Sequence, residues 1–270
     1  MKDKDTDRHR LANIVRYLMG ARSELSQSAS GQIQVQEEDG VRYLQFGTPW
    51  IQGAMRLSQP DALEVEYVQQ MMLWTLFDQE PQAICQLGLG VGALTRFCYH
   101  HFPQAVITAV EIDQEVITTC HEHFLLPPAS ERLALVHDDA ADFVANADNQ
   151  GRFDVLQVDL YDAESTGPAR GSAAFYQDCA QVLTESGMMT INLFCEYPDH
   201  HMHLKRMEAA FEAVAWLPEV HDSNIVAIGF RQAPVLEFDD LYRRATKIEQ
   251  TLALPASTWV DGLYKWMQHR

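Results

Sequence analysis

Acidic side chains at regular intervals, each following an apolar run, are the first sign of chemistry in this chain. The segment Gln86-Leu87-Gly88-Leu89-Gly90-Val91-Gly92-Ala93 closes one apolar run and opens a helical one. Glycine lets a backbone turn sharply and lets a nucleoside approach it closely. Glu111 ends the next apolar run, where a carboxylate can accept both ribose hydroxyls. The third run ends in Val136-His137-Asp138-Asp139-Ala140, and a carboxylate there can accept the amino group of adenine. The fourth run, Phe153 to Val158, leads into Asp159-Leu160-Tyr161-Asp162. Ligands of open α/β sheets lie beyond the carboxyl ends of the strands, so Asp159 and Asp162 face the same crevice as the glycine loop. The loop spacing alone also fits a dinucleotide, because Ala93 can stand for the last glycine of that pattern. NAD and an S-adenosyl nucleoside both remain open on the loop by itself.

Those acids need strands to carry them. Apolar runs at 83–87, 105–111, 133–137, 153–158 and 187–193 alternate with helical stretches near 92–101, 114–124, 140–147 and 171–183. Such alternation, with continuous apolar strands, predicts a doubly wound, mainly parallel sheet of the Rossmann-like α/β class. Residues 223–230 read as a late strand, paired near 213–217, with a helix over 203–215 between. Upstream, alternating residues at 32–57 around Asp39-Gly40 predict a small antiparallel sheet with a hairpin turn. A short helix is expected at 7–20, a longer one from Pro60 to about Phe77, and one or two at 237–270. Three units follow: an N-terminal helix, β subdomain and linking helix over 1–80, a nucleoside-binding catalytic domain over 81–232, and a helical extension over 233–270.

The net charge of -18 argues against a nucleic-acid partner, which would need a basic face. No apolar run approaches the roughly 18 residues that span a bilayer. The charged first ten residues lack a signal-peptide core, so a cytoplasmic protein without a membrane partner is expected. The five cysteines form no CxxC pair, and no disulfide is expected. Asp199-His200-His201-Met202-His203 has metal-ligand residue types, but adjacent histidines at a loop–helix junction read as solvated, and no metal is expected.

Taken in order, these pieces resemble the polyamine aminopropyltransferases, the spermidine synthase family, and more closely their bacterial spermidine synthase-like relatives. The resemblance covers about residues 43–232. It rests on Leu87-Gly88-Leu89-Gly90, Val110-Glu111-Ile112-Asp113, Asp139-Ala140, Phe153-Asp154-Val155, Asp159-x-x-Asp162, Gly167-Pro168-Ala169 and Phe175-Tyr176, with Gln52 and Glu64-x-x-Tyr67 upstream. It implies transfer of an aminopropyl group from decarboxylated S-adenosylmethionine to a small amine or polyamine. It further implies that Gly88, Gly90, Glu111, Ile112, Asp139 and Ala140 hold the nucleoside, under a segment carrying Gln52. Asp159 would take a proton from the attacking amine, helped by Tyr67, and Asp162 would orient that amine. A homodimer through the N-terminal strands and apolar helix is implied as well.

The chain departs from the family at three points. Val91 stands where the glycine loop usually carries an Asp toward the donor's amino group. Gln69 replaces a Glu two residues after Tyr67, and Ala163 replaces the Pro after the second strand-end Asp. Without an acid at 91, intact S-adenosylmethionine is no longer repelled through its carboxylate, and both donors are open. A methyltransferase on the same scaffold and a non-catalytic nucleoside-binding protein are the alternatives.

Overall fold

The computed structural model describes residues 33–46, 51–161, 171–194, 200–218, 224–235 and 237–268. The helix expected at 7–20, Asp162, the Gly167-Pro168-Ala169 piece, Cys195 and Asp199 lie outside these residues.

Three strands, β1 (Ile33–Glu38), β2 (Val41–Phe46) and β3 (Ile51–Arg56), form an antiparallel sheet in sequence order. Asp39 and Gly40 join the first two with φ of 50° and 75°, the doubly positive turn whose twist matches the hairpin. The second sheet holds β4 (Ala83–Leu87), β5 (Val106–Glu111), β6 (Leu133–His137), β7 (Phe153–Val158), β8 (Leu183–Phe194), β9 (Ala213–Trp216) and β10 (Asn224–Phe230). Its order is β6-β5-β4-β7-β8-β10-β9. The first five are mutually parallel, while β10 runs antiparallel to both β8 and β9. This is a Rossmann-like, doubly wound, mainly parallel sheet with a small N-terminal β-sheet.

The helices are α1 (Glu66–Gln70), α2 (Ala93–His101), α3 (Gln114–His123), α4 (Ala140–Ala145), α5 (Ala173–Val182), α6 (His200–Ala210), α7 (Phe238–Leu252) and α8 (Ala256–Gln268). The continuous apolar strands are covered on both faces, as their composition demands. One core joins Ile84, Ile107, Val155 and Ile228 to Trp74, Leu241, Ile248 and Trp259, so the linking segment and the C-terminal helices seal one side. The other side packs Leu87, Leu156 and Ile191 against Val144, Tyr176 and Met207.

The helix expected from Pro60 to Phe77 is broken into two short pieces. Val65 is extended, α1 ends at Gln70, and a 3-10 turn, Leu73–Leu76, follows. The cause is local. An α-helix through this region would have Thr75 N–H donate to the Met71 carbonyl. Instead Thr75 donates to Met72 at 3.0 Å, because the Met71 carbonyl already accepts from the side chains of Gln157 and Thr190.

Candidate active site

The strand ends converge as the spacing requires. Gly88 has φ of +90°, and a Cβ there would lie 2.3 Å from the Asp159 carbonyl oxygen. Any side chain at 88 would therefore displace the end of β7. Gly90 is also left-handed, with φ of +53°, and the Gln52 carbonyl oxygen lies 3.5 Å from where its Cβ would be. That places the β3 backbone over the glycine loop. Gly92 then begins α2 in a left-handed conformation.

Glu111 reaches back to this loop. Its Oε2 accepts from the Leu89 amide at 2.9 Å and its Oε1 from the Asp113 amide at 3.0 Å. Each carboxylate oxygen has two lone pairs, so capacity for two ribose hydroxyls remains. Burial raises its pKa above the ordinary value, and the two amides pull the other way. Ile112 follows, 60% exposed. His137 Nε2 bonds the Ile112 carbonyl at 2.9 Å and steadies it. Asp139 caps α4, accepting from the Ala141 amide at 2.8 Å, and Ala140 is buried beneath it.

Asp159 lies at the centre. Its Oδ1 accepts from Asn192 Nδ2 at 3.0 Å, and its Oδ2 accepts from the Tyr67 hydroxyl at 3.4 Å. Burial raises its pKa to about 6, against the opposing pull of the Asn192 and Tyr67 hydrogen bonds. Asn192 is buried and its backbone carbonyl accepts from the Tyr161 hydroxyl at 3.2 Å. Asn192 belongs to no motif and was not among the residues singled out above. Its signal was the polar residue itself, at a strand end facing Asp159.

Several other residues singled out in the sequence make structural contacts. Glu64 pairs with Arg56. Gln69 donates back to the Leu63 carbonyl at 2.7 Å. Asp154 sits at the far end of β7 and accepts from the amides of Gln82 and Ala83, at 2.8 and 3.0 Å, which pins the start of β4. Val91 is 3% exposed and packs with Leu44, Met55 and Phe124. A Cβ at Gly53 would meet Val91 Cγ2 at 2.6 Å. Position 91 thus docks the N-terminal sheet onto the glycine loop. The buried Arg96 reinforces the joint by donating to the carbonyls of Val91, Phe124 and Pro60.

The spermine/spermidine synthase domain model matches residues 64–215, more than half of the chain and all of the described site except Gln52. The chain belongs to that family. It is 30% identical over 237 residues to the polyamine aminopropyltransferase of Chromobacterium violaceum, covering 87% of this chain and 90% of that one. Family membership makes it a spermidine synthase-like transferase. Among solved structures, a probable spermidine synthase from Corynebacterium glutamicum superposes with a TM-score of 0.67 at 21% identity, covering 79% of this chain and 83% of that one. Human methyltransferase-like protein 13, solved with SAH, gives 0.63 at 24% identity, covering 70% and 93%. Both show the shared fold.

Among the described residues, no group of three His, Cys, Asp or Glu side chains is placed to hold a metal ion. His203 Nδ1 instead bonds the Tyr176 hydroxyl at 2.9 Å. No helix among them is long and apolar enough to cross a membrane. Cys85, Cys98, Cys120 and Cys179 are buried free thiols.

Proposed function

We propose that this enzyme transfers an aminopropyl group from an S-adenosyl donor to a small amine, with Asp159 as the base. The observation that carries this is Asp159 itself. It is a carboxylate with a raised pKa, held between Tyr67 and Asn192, one chain crossing from the glycine loop. Asp159 fits an amine acceptor, which a methyltransferase acting on amines would share, and the family match supports aminopropyl transfer as the reaction.

The donor lies over Gly88 and Gly90, with Gln52 above, its ribose on Glu111, and its adenine between Ile112 and the Asp139-Ala140 turn. Asp162 orients the attacking amine. The amine nitrogen, once unprotonated, attacks the aminopropyl methylene carbon bonded to the sulfonium. The carbon–sulfur bond breaks, its electron pair stays on sulfur, and methylthioadenosine leaves neutral. Asp159 accepts the proton that the nitrogen sheds, and Tyr67 stabilises the ionised carboxylate beforehand. Aligning amine and sulfonium supplies much of the remaining acceleration.

The buried Val91 offers no charge to the donor's tail. Intact S-adenosylmethionine is therefore admitted alongside the decarboxylated donor, and a methylation reaction is the second reading. Calorimetry with both donors tests the cradle. Binding of at least one below millimolar concentration is expected, and no heat from either at millimolar concentration would remove the nucleoside site.

A further inference from the structure

Beneath the site, a line of polar side chains crosses the core. Gln86, Gln157 and Thr190 are cross-strand neighbours on β4, β7 and β8. All three are at most 1% exposed. Their hydrogen bonds run in one direction. The Thr95 hydroxyl on α2 donates to Gln86 Oε1 at 2.6 Å, and Gln86 Nε2 donates to Gln157 Oε1 at 2.9 Å. Gln157 Nε2 then donates to the Met71 carbonyl at 3.0 Å, where the Thr190 hydroxyl also donates, at 3.0 Å.

Burying carboxamides in a sheet core is costly unless every polar atom is paired, and apolar residues would pack there more simply. The line has a destination, however. Side chains alternate along a strand, so Gly88, Asp159 and Asn192 stand on the same face, two residues further on. At the other end, Met71 N–H donates to the Tyr67 carbonyl at 2.8 Å. Met71 is thus held to Tyr67 by its amide and to β7 and β8 by its carbonyl. The five-residue α1 has no side-chain cap at its N-terminus, and so short a helix does not hold its own position.

We propose that the Gln86–Gln157–Thr190 ladder positions the Tyr67–Asp159 pair, fixing the Met71 carbonyl and through it the reach of the Tyr67 hydroxyl. The ladder also begins on the helix that follows the glycine loop. It therefore sets the base and the donor cradle in one frame. This rests on Asp159 and Tyr67 acting as assigned above. Gln157, two residues before Asp159, is a positioning residue and touches no reacting atom.

The test compares Gln157→Met, Tyr67→Phe and the double variant in the full chain, reading kcat/KM against pH and methylthioadenosine binding. Among the described residues, the groups facing Asp159 are Tyr67, Tyr161 and Asn192. Losing the Tyr67 hydrogen bond raises the Asp159 pKa further, so the acid limb moves to higher pH. The ladder predicts that Gln157→Met moves the limb upward as Tyr67→Phe does, lowers kcat about 10-fold, and leaves methylthioadenosine affinity within about 2-fold. In the Tyr67→Phe background it adds no further loss. Multiplying losses, or a limb unmoved by Gln157→Met alone, overturns the ladder's role. A limb unmoved by Tyr67→Phe overturns the assignment of Tyr67 and the ladder with it. Thr190→Val removes the second donor to Met71 at nearly constant shape. It decides the matter by the same criteria if Gln157→Met does not fold.

Discussion

A protonated amine has a pKa of about 10 and gives its proton poorly to a carboxylate of ordinary acidity. Raising Asp159 to about 6 narrows that gap while leaving the group ionised at neutral pH. Two outcomes follow for this residue. Asp159→Asn should lower the rate of amine transfer by at least about 100-fold while methylthioadenosine still binds, since the cradle is built from other strands. Retained turnover in that variant would take the base role from Asp159. The sign of the pH dependence is also fixed. The carboxylate acts when ionised, so kcat/KM should fall as pH drops below about 6, with a limb that vanishes in Asp159→Asn. A rate profile measured from pH 5 to 8 checks this. The sequence made Asp159, Glu111 and Asp139 legible because each ends an apolar run. It could not show Asn192, which meets Asp159 only when β7 and β8 pair.

At the level of elements, repeating apolar runs mark the parallel sheet, and Asp39-Gly40 marks the hairpin of the N-terminal antiparallel sheet. The apolar spacing of Leu63, Tyr67, Met71 and Trp74 satisfies a helical face, yet the linking segment is not one helix. What breaks it is a tertiary competition for the Met71 carbonyl, from residues 86 and 119 positions away. Val91, which stands where the family carries an Asp, is a docking contact made by the approach of β3 through Gly53. An acid at that position would lose its water inside the apolar contact of Leu44, Met55 and Phe124. Val91→Asp should therefore destabilise the protein by about 3 kcal/mol, a fall in Tm of about 10 °C, and should not improve use of the decarboxylated donor. Thermal melts with donor titrations check it. An unchanged Tm with tighter binding of decarboxylated S-adenosylmethionine would place position 91 in the donor site after all.

For the molecule as a whole, the net charge of -18 suits a cationic acceptor. A field of one sign draws in opposite charge and is screened by salt. The kcat/KM for the amine should fall as ionic strength rises from about 0.01 to 0.15 M, with kcat little changed. Salt-independent kcat/KM would show that the surface charge serves solubility alone. A homodimer through the N-terminal sheet remains a proposal, which sedimentation would decide. Family membership establishes a transferase on this scaffold, and the proposed mechanism joins a nucleoside site to a carboxylate of raised pKa. The group transferred is the point on which that account stands. Incubating the enzyme with each donor and a panel of small amines, then identifying the nucleoside product by mass spectrometry, tests it directly. Methylthioadenosine is the expected product, formed only with an amine present and lost in Asp159→Asn. S-adenosylhomocysteine together with a methylated product would contradict it.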